Sequence, residues 1–92
     1  MLSRVLRRSF ATNIYVEGIH WRTDTTRLRE TFDKFGPVLK VAILSARQEN
    51  YYLTGCVSYK KSEDALQAIL SMNGQELDGR LLKVDYYDGP IE

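Results

Sequence analysis

Side chains that commonly perform covalent or metal chemistry are sparse in this 92-residue chain. It has a single cysteine, Cys56, and a single histidine, His20. A cysteine nucleophile needs a basic partner held beside it, and nothing in the sequence brings the loop residue His20 toward Cys56. One cysteine cannot form an internal disulfide, and zinc sites need clusters of Cys and His. Without a phosphate-binding glycine loop, paired carboxylates or a nucleotide-binding fingerprint, the sequence predicts no enzyme, metal, cofactor or small-molecule substrate.

Tyrosine side chains instead occupy the polar positions of strand-like segments. Residues 13–17 place Ile14 and Val16 on one face and Tyr15 and Glu17 on the other, which is the period of a half-buried strand. The segment therefore predicts a strand that buries one face and presents a tyrosine on the other.

Helix and strand signals alternate through the first half of the chain. Asp24 is placed to cap a helix over residues 25–35, and Gly36-Pro37 ends it because proline cannot continue a helix. Residues 38–45 predict a second strand with inward Val38, Val41 and Ile43. That spacing indicates an irregularity near residues 39–40.

The second half repeats the order of a strand, a helix and a strand. A third strand is predicted over residues 51–60, and residues 62–64 should cap a helix that stops at Asn73-Gly74. Asp78-Gly79 marks a turn before a fourth strand over residues 81–87. The predicted order is βαββαβ, an α+β fold of the ferredoxin-like type, in which two helices cover one face of a four-stranded antiparallel sheet.

Residues 13–87 resemble the RNA recognition motif family over nearly their whole length. The resemblance lies in the first-strand hexamer, the third-strand octamer and four further stretches, which are residues 14–19, 52–59, 28–38, 62–69, 72–74 and 77–84. It implies one domain whose hexamer and octamer strands lie side by side at the centre of the sheet. It also implies that aromatic side chains on the open face stack on unpaired RNA bases.

The site that this resemblance implies is only partly retained. The family's aromatic at the second hexamer position is present as Tyr15, whereas Thr54 and Cys56 stand at the two aromatic positions of the octamer. Tyr52 replaces the usual basic residue at the first octamer position. Because each stacked aromatic contributes about 1–3 kcal/mol, two losses would weaken binding by about thirtyfold or more.

Other residues on the open face are expected to compensate. Tyr52 and Tyr87 add aromatic rings, and Lys40 and Lys83 should project from the flanking strands toward RNA phosphates. The predicted RNA-binding residues are therefore Tyr15, Tyr52, Thr54, Cys56, Lys40, Lys83 and Tyr87. The alternative is that the lysines are solvated surface charges and the tyrosines cover strand edges. Trp21, in the first loop, is expected to pack over the edge of the core rather than stack on a base.

The first twelve residues carry three arginines and no acidic residue, interleaved with apolar side chains. This composition is typical of a mitochondrial transit peptide, and the sequence around Arg8 and Phe10 resembles a processing site. We therefore expect cleavage after Phe10, a two-residue lead-in at 11–12, a domain over 13–87 and a tail over 88–92. A basic arm that binds nucleic acid is the alternative. Cleavage would change 13 basic and 12 acidic residues to 10 and 12, a net charge of about −2.

Two functions are compatible with this sequence. The first is a mitochondrial matrix protein that binds single-stranded RNA weakly through its open sheet face, acting in RNA processing or translation. The second is a structural or adaptor subunit of a mitochondrial ribonucleoprotein complex such as the ribosome, with the same face docked on protein. No membrane span is expected, since the longest clean apolar run covers only residues 41–44.

Overall fold

The computed structural model describes residues 11–44 and 53–87. The chain begins with strand β1 (Thr12–Ile19), helix α1 (Thr25–Phe32) and a 3-10 turn (Asp33–Phe35). The remaining elements are β2 (Val38–Leu44), β3 (Leu53–Tyr59), α2 (Ser62–Met72), β4 (Glu76–Leu77), β5 (Arg80–Leu81) and β6 (Lys83–Tyr86). The predicted leader at 1–10, the residues 51–52 that begin the predicted third strand, and the tail at 88–92 lie outside the described residues.

Four strands form one antiparallel sheet in the spatial order β2-β3-β1-β6. The hexamer and octamer strands are therefore its central pair. Side chains from both helices join one buried cluster with the inward residues of β1 and β3, so the helices share one face of the sheet. The predicted α+β ferredoxin-like fold is confirmed. None of the helices in the described ranges is long and apolar enough to cross a membrane.

The core follows from strand alternation. Ile14 and Val16 of β1 are fully buried, as are Val57 and Tyr59 of β3, and Leu28 and Phe32 of α1 pack against the same cluster. Burial of each large apolar side chain contributes about 1.5–3 kcal/mol. The alternate residues of the central strands must consequently face away from the helices.

The helix boundaries differ slightly from those expected. Asp24 caps α1 as predicted, because its Oδ1 accepts a hydrogen bond from the Arg27 N–H at 2.9 Å. The α-helix ends at Phe32 rather than Phe35, and the Tyr59 hydroxyl donates to the Phe32 carbonyl at that end. A buried tyrosine thus satisfies a carbonyl that the helix cannot. Helix α2 begins after Lys61, whose side chain makes no cap, so capping by residues 62–64 was wrong.

The expected irregularity in the second strand is present, since pairing with β3 shifts register between Val38 and Lys40. A feature that was not predicted is the hairpin of β4 and β5, in which Leu77 pairs with Arg80. Asp78 and Gly79 turn it with φ values of 53° and 95°. The fourth sheet strand therefore begins at Lys83 rather than residue 81.

The hairpin turn is anchored to the start of α1. Asp78 accepts a hydrogen bond from the Thr23 hydroxyl at 2.7 Å and ion-pairs with Arg27, whose Nη2 lies 3.0 Å from Asp78 Oδ1. The hydrogen bonds from Arg27, and then the one from Thr23, lower the pKa of Asp78 from its ordinary value. The carboxylate stays ionised and holds the hairpin on the helix.

Side chains of the same chain accept hydrogen bonds from the backbone of the outer strand β6. Asn73, which follows α2, accepts a hydrogen bond from the Val84 N–H on its Oδ1 at 2.9 Å. The Asp85 carboxylate accepts one from the Tyr86 N–H at 2.8 Å. The backbone N–H groups of Val84 and Tyr86 are thereby satisfied by side chains of the same chain.

We expect Gly18→Ala to destabilise the domain by about 2–3 kcal/mol, because it adds steric conflict to backbone strain. Gly18 has a φ of +92°, and a Cβ there would lie 2.6 Å from the backbone oxygen of Leu81. The matched control is Gly79→Ala, which has a φ of +95° but no atom within 4 Å of the new Cβ. Urea unfolding of both variants measures the difference, and equal losses would contradict the steric argument.

We expect Asp78→Asn to lower the urea midpoint at neutral pH, because the amide keeps an acceptor but loses the charge that binds Arg27. A carboxylate with a lowered folded-state pKa stabilises the fold above its ordinary pKa of about 4, and this contribution is lost as the pH falls through the lower folded value. The difference from wild type should therefore shrink below about pH 4. Glu76→Gln, an exposed change on the same hairpin, is the control; a difference that does not depend on pH would refute the assignment.

Candidate nucleic-acid interface

The open face of the sheet consists of three rows of paired residues. The first row is Lys40, Ser58, Asn13 and Tyr87; the second is Ala42, Cys56, Tyr15 and Asp85; the third is Leu44, Thr54, Glu17 and Lys83. Residues that pair across antiparallel strands point to the same face. The register thus places six predicted site residues, all except Tyr52, on or beside one surface.

Tyr15 stands at the middle of this surface and is partly exposed. Its neighbours in the row are Cys56 on β3 and Asp85 on β6. Cys56 is fully buried although it faces the open side, and burial raises the pKa of its thiol. The predicted direct contact between Cys56 and RNA does not fit this geometry, because the side chain offers no surface. Cys56 is a small, buried and uncharged neighbour of Tyr15.

Tyr87 stacks on Tyr15, a contact that the sequence did not reveal. The ring centroids are 5.7 Å apart and the ring planes differ by 24°, and the Tyr87 N–H donates to the Asn13 carbonyl at 2.9 Å. A planar base placed between two rings needs about 7 Å, twice the contact distance of carbon atoms. A base must therefore stack on an outer face of this pair or displace Tyr87.

The two lysines occupy opposite corners of the face. Lys40 lies on β2 in the first row, and Lys83 lies on β6 in the third row, and both are exposed. Lys40 and Lys83 lie on the two outer strands, three strand spacings apart, and they are offset by four residues along the strand direction. Their Cα atoms are therefore about 20 Å apart. Tyr15 lies near the middle of that diagonal. Acidic Glu17 and Asp85 share the β6 side, so the face is electrostatically mixed rather than a basic patch.

A cleft of about 310 Å³ adjoins the aromatic pair at the edge of the sheet. Ala11, Thr12, Asn13, Tyr86 and Tyr87 line it. Tyr86 pairs with Ile14 and so belongs to the helix-side face, where it is half exposed. The Asn13 side chain is held by the Ser58 hydroxyl, which donates to Asn13 Oδ1 at 2.7 Å.

Trp21 does not pack over the edge of the core, so that expectation was wrong. Its side chain is 63% exposed in the loop between β1 and α1. The ring is flanked by His20, at a centroid distance of 5.6 Å, and by the Arg22 guanidinium carbon, 4.8 Å from the ring centroid. No sequence periodicity in so short a loop distinguishes a buried tryptophan from an exposed one.

Of the two remaining predicted residues, Thr54 lies within the described residues and Tyr52 does not. Thr54 is half buried in the third row, opposite Glu17 and Leu44. Tyr52 lies outside the described residues. Within the ranges 11–44 and 53–87, no group of three or more His, Cys, Asp or Glu side chains is arranged to hold a metal ion.

The comparisons with known proteins agree on one family. The family model described as RNA recognition motif matches residues 14–83. The structure of RNA-binding protein PG1 is similar, with a TM-score of 0.77 and 27% identity over 88% of this chain and 99% of that one. RRM3 of Pes4 has a TM-score of 0.76 and 25% identity over 87% and 95% of the two chains.

A structure of the first two RRM domains of the yeast poly(U)-binding protein Pub1 is also similar, with a TM-score of 0.75 and 28% identity. The match covers 88% of this chain and 50% of that one. The open four-stranded face, the two helices behind it and a family match over most of the chain support one conclusion. This chain belongs to the RNA recognition motif family.

Proposed function

We propose that the protein binds single-stranded RNA in mitochondria through the open face of its sheet, in RNA processing or translation. The observation that carries the proposal is the position of Tyr15, which is partly exposed at the centre of the face. Tyr15 supplies the stacking platform, and Lys40 and Lys83 bind phosphates on either side. Tyr87 and Thr54 complete the contact surface, and Tyr52, which lies outside the described residues, remains a prediction from the sequence.

The charges on this face make the interaction modest. Nonspecific affinity for RNA comes mainly from Lys and Arg that displace counterions. Here two lysines share the surface with Glu17 and Asp85, and Lys83 pairs directly across from Glu17. Stacking must therefore contribute a large part of the affinity, and the single domain binds weakly unless partners add further contacts.

Similar proteins supply a first choice of probe. PG1 is described as an RNA-binding protein, and Pub1 as a poly(U)-binding protein. Short oligouridylates are therefore the first ligands to test. The similarity supports RNA as the ligand class without assigning this chain a target.

The mitochondrial part of the proposal depends on the leader. Three arginines, two serines and no acidic residue precede Ala11, the composition of an import signal. Removal of this segment would leave the slightly acidic domain described above, so the leader would not contribute to RNA binding in the matrix.

A second candidate function is docking on protein as an adaptor subunit of a mitochondrial ribonucleoprotein complex. The observation that favours it is the β2 side of the face, where Ala42 and Leu44 are only half buried beside fully buried Cys56. This apolar strip offers little to a phosphate backbone. It would bury readily against an apolar surface of a protein.

We expect Tyr15→Ala to weaken binding of oligouridylate by about fivefold to 150-fold, because it removes one stacking platform worth about 1–3 kcal/mol. Titration of the full chain with labelled RNA, followed by fluorescence anisotropy at two salt concentrations, measures the change. The matched control is Tyr86→Ala, which removes a half-exposed tyrosine from the helix-side face of the same sheet region. It should leave the affinity nearly unchanged.

Equal weakening by both substitutions would show that the sheet face is not the site. Absence of RNA binding by the wild-type chain, together with capture of a protein through Tyr15 and Ala42, would favour the adaptor function instead. Urea unfolding of each variant separates lost contacts from lost folding.

We expect the protein recovered from mitochondria to lack residues 1–10, because the arginine-rich leader directs import and is then removed. Intact-mass measurement of a C-terminally tagged chain tests this. Changing Arg4, Arg7 and Arg8 to Glu should abolish import, whereas the same number of changes at Lys34, Lys60 and Lys61 should not. A mitochondrial protein that retains Met1 to Phe10 would contradict cleavage, and a protein excluded from mitochondria would contradict the localisation.

A further inference from the structure

Trp21 is held in an ordered turn even though its ring lies in solvent. The Thr23 N–H donates to the His20 carbonyl at 2.9 Å, and the Arg22 N–H donates to His20 Nδ1 at 3.0 Å. Thr23 is buried and donates its hydroxyl to Asp78. The turn is therefore fixed between α1 and the β4–β5 hairpin. A ring presented in this way loses little conformational entropy when it binds a ligand.

The chemistry around the ring suits a nucleotide. The Arg22 guanidinium carbon lies over the ring, 4.8 Å from its centroid. A base that stacks on this face would displace the guanidinium, which could then contact the neighbouring phosphate. An unpaired nucleotide carries the matching pair of groups, a flat base and a phosphate. Stacking of a base on an aromatic side chain, together with an Arg contact, is the usual basis of binding to single strands.

The turn lies at the end of the open face that carries Lys83. Glu17 of β1 pairs with Lys83, and the next residue, Gly18, packs against the backbone of Leu81. Trp21 follows two residues after β1 ends at Ile19. It is six residues beyond Tyr15, up to about 20 Å along an extended chain. An RNA strand that crosses Tyr15 toward Lys83 would reach Trp21 several nucleotides later.

We propose that Trp21 and Arg22 form a second base-stacking site, which binds an unpaired nucleotide of an RNA strand continuing past Lys83. This inference rests on the proposed RNA-binding function and extends its site beyond the sheet. Trp21 would stack on the base, and Arg22 would bind the adjacent phosphate. The protein would therefore favour a strand long enough to engage both aromatic sites at once.

A direct test uses Trp21 as its own reporter, because it is the only tryptophan in the chain. The full chain is titrated with oligouridylates of about four and about nine nucleotides, lengths that span the lower range of single-strand sites. The longer RNA should quench tryptophan fluorescence, whereas the shorter RNA should bind with little quenching. Trp21→Ala should weaken binding of the longer RNA by about fivefold or more, and binding of the shorter RNA much less. Trp21→Phe should restore part of the loss.

The matched control is Leu81→Ala, which removes an exposed apolar side chain from the neighbouring hairpin. Equal effects of Trp21→Ala and Leu81→Ala would overturn stacking in favour of a general apolar contact. If Tyr15→Ala weakens binding of both RNAs and Trp21→Ala weakens binding of neither, the second site is refuted and the sheet site stands. If RNA quenches Trp21 but Tyr15→Ala has no effect, the second site stands and the sheet site fails. No binding of either RNA would refute both.

Discussion

Pairing between β1 and β3 decides which side chains of the two central strands reach the open face. Tyr15 lies opposite Cys56, and Ile14 lies opposite Val57. A shift of one residue would exchange every inward and outward side chain of the moved strand. Burial of Ile14, Val16, Val57 and Tyr59 against the helices makes such a shift costly. The hydrophobic core thus fixes the position of the stacking tyrosine, although it contacts no ligand.

The same constraint explains how an altered site can persist on an intact fold. Thr54 and Cys56 face outward, and exchanging aromatic rings for small side chains there leaves the inward core residues in place. The Tyr15–Tyr87 stack joins a central strand to the chain after β6, on the side of Tyr15 away from Thr54 and Cys56. Among the described residues, the aromatic rings of this face therefore lie toward its β6 edge. Stability and binding depend on opposite sides of the same strands.

Much of this arrangement could be predicted from the sequence because it depends on period and local turns. The strand alternation around Tyr15, the Asp24 cap and the irregularity near Lys40 are all properties of neighbouring residues. The Asp78–Arg27 pair, the Tyr59–Phe32 hydrogen bond and the Tyr15–Tyr87 stack join residues far apart in the chain. They depend on how elements pack, which periodicity does not encode. The prediction for Trp21 was wrong because tryptophan is more often buried than exposed, and the five residues between β1 and α1 are too few to show a hydrophobic period.

The way β6 finishes the sheet affects association between copies of the chain. An outer strand with unpaired backbone donors is a template on which another chain can add a strand and begin to aggregate. In β6 the Val84 donor is accepted by Asn73 and the Tyr86 donor by Asp85. Charged Lys83 and Asp85 also flank this short edge. The side chains that complete the fold therefore make intermolecular strand addition at β6 unfavourable, and the open face can remain exposed without the sheet growing from this edge.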